Sequence, residues 1–133
     1  MKYLLDVNVL IALGHTGHAH HKRAVRWYVS VLKTAAGVHT CSITELGFVR
    51  VSVLTGLQPS VNAAREALDA LKASSKVRFE LIADDVGMSQ LPAFVKKPQS
   101  LTDGHLLELA RRHSMKLVTL DRGIPGAVFI GEP

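Results

Sequence analysis

The chain lacks several features that mark secreted, membrane and base-reading proteins. It has one cysteine, Cys41, among 133 residues, which excludes an intramolecular disulfide and a cysteine-rich zinc site. Phe, Trp and Tyr make up only 5% of the chain, too few for the stacking platforms of base-reading RNA-binding sheets. No apolar run approaches the roughly 18–20 residues that span a bilayer. Asp6 and Asn8 interrupt the only N-terminal stretch that could pass for a signal peptide. We therefore expect a soluble, cytoplasmic protein with no membrane partner.

The composition that remains is typical of one folded domain with a basic surface. Apolar residues make up 47% and charged residues 20%, so we expect a single domain over residues 1–133 with one sizeable core. Sixteen Lys and Arg stand against eleven Asp and Glu, which gives a formal net charge of +5. Such a balance favours a polyanionic partner such as nucleic acid.

The spacing of apolar residues predicts strands and helices that alternate along the chain. Strands are expected at 3–5, 38–41, 77–82, 116–120 and 127–130. Helices are expected from Val9 after an Asn8 cap, over 20–34, from Ser42, over 60–73, over 84–97, and over 102–113 after a Thr102 cap. In the helix from Ser42, the predicted inner face is Ile43, Leu46, Val49 and Val53. Alternating elements join parallel strands through crossovers, so the predicted fold is a three-layer α/β/α domain. Its central, mostly parallel sheet should have four to five short strands.

Four carboxylates stand at junctions between these elements. Asp6 and Asp121 end predicted strands, and Glu45 and Asp103 fall in first turns of helices. Each has a structural alternative as a cap or turn residue; the segment 42–45, for instance, has a capping-box pattern. Parallel strands end at one edge of a sheet, so the four can converge there. Two unit charges 5 Å apart repel by about 3 kcal/mol at an effective dielectric of 20, so such a cluster needs a cation. Oxygen ligands favour Mg²⁺ or Mn²⁺.

The segments that carry these acids resemble the PIN-domain family of metal-dependent nucleases, and more narrowly the VapC toxins of bacterial toxin–antitoxin pairs. The similar segments are LLDVNVLIAL, HAHHKRAVRWY, SITELGFVRV, LTDGHLLELARR and LVTLDRG, which follow one another from about residue 2 to 130. The resemblance implies an endoribonuclease that uses Mg²⁺ or Mn²⁺ to hydrolyse single-stranded RNA, leaving 5′-phosphate and 3′-hydroxyl ends. It also implies a small cognate antitoxin as partner and a homodimeric toxin.

The resemblance assigns roles to particular residues. It implies four catalytic acids, of which Glu45 acts through water and three hold the metal directly: Asp6, Asp103 and Asp121. Asn8 and Thr119 would hold carboxylates or water in place. Three arginines are candidates for contacts with the RNA backbone: Arg50, Arg112 and Arg122.

Two other functions stay open on the sequence. A phosphotransferase of the haloacid dehalogenase type also places an acid after its first strand, although the second acid of its Asp-x-Asp motif is Asn8 here and no matching lysine motif is evident. A basic nucleic-acid-binding module without catalysis would use the four acids only as caps. Binding of Mg²⁺ separates the last possibility from the enzymes, because capping carboxylates bind the ion no better than any surface acid.

Four closely spaced histidines are candidates for a second metal site. His15, His18, His20 and His21 are crowded together, but a zinc site needs a third protein ligand and none stands nearby in sequence. We expect a solvated loop and the start of a helix there. His105 follows Asp103 by two residues, so it either lines the rim of the acidic site or serves in the core or at the surface.

Overall fold

The computed structural model describes residues 1–75 and 79–132, which form a sheet between two layers of helices. The strands are β1 (Lys2–Leu5), β2 (Gly37–Thr40), β3 (Phe79–Leu81), β4 (Met115–Thr119) and β5 (Val128–Phe129). The helices are α1 (Val7–Gly14), α2 (His21–Val31), α3 (Ser42–Leu54), α4 (Val61–Ala73) and α5 (Leu101–Arg112). Positions 77 and 78 of the strand predicted at 77–82 lie outside the described residues. Within the described ranges, no helix has the length and apolar character that crossing a membrane requires.

The five strands form one sheet in the order β3-β2-β1-β4-β5, and all neighbours are parallel. This confirms the predicted α/β/α class and its parallel sheet. The chain builds outward from β1 in both directions, first to β2 and later to β4. In open parallel sheets, the crevice between two such strands at their carboxyl ends is where ligands bind.

Alternating side chains of the central strands fill two separate cores. Leu5 and Val118 point to the layer of α1–α4, where Phe48 is fully buried. Leu4 points the other way and packs with Leu109 of α5. Successive strand residues face opposite sides of a sheet, so the near-continuous apolar strands are buried on both faces.

Helix α1 begins at Val7, two residues earlier than predicted. Its N-cap is Asp6 rather than Asn8, and the Asp6 Oδ1 atom accepts a hydrogen bond of 2.7 Å from the Val7 amide. Asn8 does not cap because its side chain bonds to residues at the end of β4. A contact distant in sequence therefore decided this boundary.

The other helix starts agree with the sequence to different degrees. Ser60 caps α4 as predicted, and its Oγ atom accepts from the Ala63 amide at 3.1 Å. Thr102 does not cap α5, which already begins at Leu101 with Ser100 in the N-cap position. The cause is a 3₁₀ turn at Pro98–Ser100 that leads directly into the helix.

The cap of α3 also differs from the pattern in the sequence. Glu45 does not reach back to the Ser42 amide. Instead, the Thr44 hydroxyl accepts a hydrogen bond of 2.9 Å from the Cys41 amide. Glu45 is thus released from capping and is directed to other partners.

The predicted inner face of α3 was wrong for Ile43 and Leu46, which are exposed, whereas Val49 does pack against the core. Thr44, Phe48 and Ser52 are buried, whereas Leu46 is 54% exposed. Helix α3 is apolar on most sides, so its hydrophobic pattern does not select one face. Gly47 selects it, because a Cβ atom there would lie 2.7 Å from Val7 and its absence lets α3 approach α1 closely.

The helix predicted over 84–97 was also wrong. This segment is a loop whose only regular element is a 3₁₀ turn at Met88–Gln90. Gly87 and Pro92 disfavour a helix here, and the Gly87 amide is bound instead by the Gln90 side chain at 2.8 Å.

Candidate active site

A cavity of about 320 Å³ lies where β1 and β4 end. Asp6 follows β1, Asp121 follows β4, and Asp103 stands in the first turn of α5. All three line this cavity together with Val7, Asn8, Ile11, His18, Val51 and Thr102. The fold therefore brings three of the four predicted acids to one place.

The hydroxyl group of Thr119 connects the two strand ends. It donates to Asp6 Oδ2 at 2.8 Å and accepts from the Asp121 amide at 3.0 Å. The Asn8 side chain donates to the Thr119 hydroxyl oxygen at 3.4 Å and accepts from the Leu120 amide at 3.1 Å. Thr119 is fully buried, so these bonds fix Asp6 relative to Asp121.

Burial and mutual repulsion both make the ionised form of the cavity carboxylates unfavourable. Burial is the main cause that raises the pKa of Asp6, and the charge of Asp121 adds to it, against hydrogen bonds from Thr119 and Val7. Burial also raises the pKa of Asp103, to about 6, with the charges of Asp6 and Asp121 as further causes. The cavity thus holds more negative charge than its own hydrogen bonds stabilise.

Glu45 is separated from these three acids. It does not line the cavity but a separate groove between α3 and α4. Its Oε2 atom accepts a hydrogen bond of 2.7 Å from Lys72 Nζ and another from the Thr40 hydroxyl. Its charge is therefore compensated by α4 rather than shared with the cavity.

The three predicted arginines occupy different parts of the surface. Arg50 is exposed and lines a groove whose other residues include Val7 and Thr102, so it borders the cavity. Arg122 follows Asp121, and its guanidinium group lies 4.7 Å from the centre of the Phe129 ring. Arg112 stands nine residues after Asp103, about 13 Å along α5, with its Nε atom 4.0 Å from Glu108. The structure does not bring Arg112 to the cavity.

The four crowded histidines do not act as one group. His15 and His21 donate through Nδ1 to the carbonyl oxygens of Ile11 and Ala12, at 2.8 and 2.7 Å. These carbonyls belong to α1, so the two rings hold both ends of the connection between α1 and α2 against α1. His18 alone among the four lines the cavity. Sequence analysis missed it because only the folding of this loop over α1 brings it there, and no spacing in the sequence records that.

His105 is a core residue and not part of the rim. It is buried, and its Nε2 atom lies 2.5 Å from Asp84 Oδ2. This pair joins α5 to the loop after β3. It therefore supports the helix that carries Asp103.

The three cavity acids have the chemistry of a site for a hard divalent cation. In the described ranges, no three His, Cys, Asp or Glu side chains are close enough together to enclose an ion as they stand. Asp6, Asp103 and Asp121 nevertheless face one cavity and provide only oxygen ligands, and the pKa values of two of them are raised. A cation of the Mg²⁺ type would supply the missing positive charge.

The chain matches the model of the PIN domain family over residues 3–129. It therefore belongs to that family, in agreement with the parallel sheet and the acidic cavity at its edge. Among curated relatives, ribonuclease VapC38 of Mycobacterium tuberculosis is 44% identical over 126 residues, 91% of this chain and 86% of that protein. Ribonuclease VapC39 of the same organism is 34% identical, and the matched region covers 98% of this chain and 96% of that protein.

Solved structures show the same fold. The sarcin-ricin-loop-cleaving toxin VapC20 of M. tuberculosis superimposes with a TM-score of 0.66 at 20% identity, over 98% of both chains. VapBC2 of Rickettsia felis, bound to a DNA fragment from its promoter, gives 0.65 at 15% identity, over 97% of both chains. With the curated relatives, these findings confirm the resemblance to VapC proteins.

The chain is thus an enzyme, a ribonuclease that hydrolyses phosphodiester bonds. This decides against the two alternatives left open on the sequence. The haloacid dehalogenase alternative conflicts with a PIN match that covers nearly the whole chain. The names of the curated relatives, which are ribonucleases, argue against the non-catalytic module.

Proposed function

We propose that the protein is the toxin of a toxin–antitoxin pair and cleaves single-stranded cytoplasmic RNA with Mg²⁺ or Mn²⁺. The observation that carries the metal dependence is the convergence of Asp6, Asp103 and Asp121 on one cavity. An ion held by these three carboxylates would supply Lewis-acid chemistry, lowering the pKa of a bound water molecule and offsetting negative charge on the phosphate and the leaving oxygen.

The side chains of the cavity divide the work. Asp6, Asp103 and Asp121 hold the metal, and Thr119 and Asn8 keep Asp6 and Asp121 in position through the bonds described above. Glu45 keeps the role that the family resemblance gives it, acting through water. Its ion pair with Lys72 leaves three carboxylates to carry the charge of the site.

Two arginines are proposed to contact the RNA backbone. Both are exposed: Arg50 on α3 lines the groove that borders the cavity, and Arg122 directly follows Asp121 at the end of β4. Their cationic groups offset the repulsion between the acids and the RNA phosphates.

The test is cleavage of a single-stranded RNA by the purified protein. Cleavage is expected with Mg²⁺ or Mn²⁺ and not in excess EDTA, and the products should carry 5′-phosphate ends. Asp6→Asn should abolish cleavage yet leave the fold intact, because Asn serves as well as Asp at an N-cap. Asp85→Asn, which changes an exposed acid outside the cavity, is the matched control and should cleave normally. Undiminished cleavage in EDTA, or products with 2′,3′-cyclic ends, would refute the proposed mechanism.

A surface on α3 and α4 supports the proposed antitoxin. Leu54 is 78% exposed and Val61 56% exposed, and both line an apolar groove of about 690 Å³ that is flanked by Arg50 and Arg65. Exposed apolar grooves of this kind fit an amphipathic helix, and the two arginines favour one with acidic residues beside its apolar face. The homodimer remains a prediction of the family resemblance.

Co-expression tests this partner. A small protein encoded beside this gene should co-purify with the chain, and Leu54→Glu should prevent it. Leu81→Glu, an equally apolar exposed site on β3, should not. Equal co-purification with both variants would place the partner elsewhere.

A further inference from the structure

His18 occupies a place in the cavity that the family roles leave unassigned. It lies in the turn between α1 and α2, with its side chain partly buried against the same space as the three acids. The turn itself is well fastened, because the His18 amide bonds to the His15 carbonyl and the His21 amide bonds to the His18 carbonyl, each at 3.0 Å. His18 is therefore held at the cavity by its backbone.

The hydrogen bonding of this turn determines which ring nitrogen of His18 is available. The His20 amide donates to His18 Nδ1 at 3.0 Å, so Nδ1 acts as an acceptor and carries no proton. In the neutral ring the proton then sits on Nε2. Burial lowers the pKa of His18, and His20, His15 and His21 lower it further, which agrees with a neutral ring. The side chain thus offers one N–H donor to a molecule in the cavity.

The cavity otherwise offers few donors to a phosphate. Its three carboxylates accept hydrogen bonds only, when ionised. The Asn8 side chain donates one of its two N–H groups to Thr119 and accepts from the Leu120 amide through Oδ1. Among the described lining residues, the side chains that can donate to a phosphate oxygen are the Thr102 hydroxyl, the His18 ring and the second N–H of Asn8.

We propose that His18 is a substrate-binding residue whose Nε2–H donates to an oxygen of the RNA phosphate that enters the cavity. This rests on the proposed function, because it takes RNA as the ligand of the acidic cavity. A phosphate bound between the metal and His18 would contact positive charge on one side and a neutral donor on the other. The loop between α1 and α2 thereby takes part in substrate recognition.

Two substitutions separate the donor from the structure of the turn. His18→Asn keeps an acceptor, Oδ1, in the place of Nδ1, so the bond from the His20 amide can persist, but it removes the distant donor. His18→Gln places an amide donor near the position of Nε2 and should restore part of the contact. His20→Asn is the matched control, because its ring does not line the cavity and its backbone amide stays in place.

The experiment measures the affinity of each variant for a fluorescent single-stranded RNA in Ca²⁺, and its affinity for Mn²⁺ alone by calorimetry. Loss of one hydrogen bond should weaken RNA binding about 3- to 10-fold in His18→Asn, with partial recovery in His18→Gln and no change in His20→Asn. Mn²⁺ affinity should be the same in all four proteins.

Each other result overturns the inference in its own way. Unchanged RNA affinity in His18→Asn, or an equal loss in His20→Asn, means that the ring makes no contact with RNA. A loss of Mn²⁺ affinity in His18→Asn means that His18 is a metal ligand instead. If the unmodified protein binds RNA but cleaves none in Mg²⁺, the proposed function fails, while the comparison of affinities still decides the role of His18.

Discussion

Asp103 stands where two electrostatic effects oppose each other. The N-terminal turn of α5 favours a negative side chain there. Burial and the charges of Asp6 and Asp121 disfavour it and raise its pKa to about 6, so the unfavourable effects dominate. A carboxyl group whose pKa is higher in the folded protein than in the unfolded chain lowers stability when ionised. The stability that is lost through ionisation of Asp103 is therefore regained as the pH falls from about 6 towards 3.8, the ordinary pKa of the group.

Asp103→Asn should raise the melting temperature of the metal-free protein at pH 7 and abolish cleavage. The gain should shrink at pH 5, because Asp103 of the unmodified protein is then largely protonated and already neutral. Thermal melts at both pH values in EDTA check this. Added Mn²⁺ should stabilise the unmodified protein more at pH 7 than at pH 5, since protons compete with the metal. A variant that melts lower at both pH values would show that the helix-start role of Asp103 prevails.

At the scale of elements, the site depends on how α5 is seated. Gly104 follows Asp103 and is buried against the loop that precedes the helix, where a Cβ atom would come within 2.2 Å of Val95 and 3.5 Å of Pro92. Glycine is ordinarily a poor choice inside a helix. Here it allows the first turn of α5, with Asp103, to lie against the loop.

Gly104→Ala should therefore destabilise the protein by about 1–3 kcal/mol, as overpacked sites do, although alanine is the better helix former. It should also lower cleavage, because the shift needed to admit the methyl group moves the first turn of α5. Gly123→Ala is the control, since nothing lies within 4 Å of its would-be Cβ atom. Chemical denaturation and initial cleavage rates measure the two effects. A stabilised Gly104→Ala protein would show that Val95 yields without cost.

At the scale of the whole molecule, charge is divided between an acidic site and a basic surface. Apart from the three cavity acids Asp6, Asp103 and Asp121, sixteen Lys and Arg stand against eight acids, one of which, Glu45, is paired with Lys72. The surface therefore attracts RNA through its phosphates, while the cavity repels the phosphate that must be cut. A divalent ion would reduce the repulsion between the cavity and the phosphate, because each ion adds two positive charges to the cavity.

RNA binding should accordingly be weak and steeply salt-dependent in EDTA, and tighter in Ca²⁺. Arg122→Ala should reduce the salt slope by about 0.7, the value for one phosphate contact on a single strand. Arg112→Ala is the control and should leave the slope unchanged, because Arg112 lies at the far end of α5 beside Glu108. Titrations from 50 to 300 mM salt, roughly the range in which such contacts respond, measure both. Equal slopes for the two variants would mean that Arg122 does not contact RNA.

Local sequence was sufficient for most of the elements and for the fold class. Strand residues such as Leu4 and Leu117 are apolar in short runs, and the caps and breaks between them are local signals, as Ser60 shows. The order of Asp6, Asp103 and Asp121 relative to these strands also placed them at one edge. Parallel connectivity alone made that inference possible, because it sends the end of every strand to the same side.

Only the tertiary structure decided the contacts that join distant segments. Asn8 does not cap α1 as predicted, because its side chain bonds to Thr119, 111 residues away. Glu45 bonds to Lys72 on the next helix and does not line the cavity. His18 reached the cavity only because its turn folds back over α1. Periodicity and capping patterns describe how a residue relates to its near neighbours along the chain. The partners of a polar side chain at the edge of a sheet are chosen by which strands and helices pack together, and no local pattern in the sequence specifies that choice.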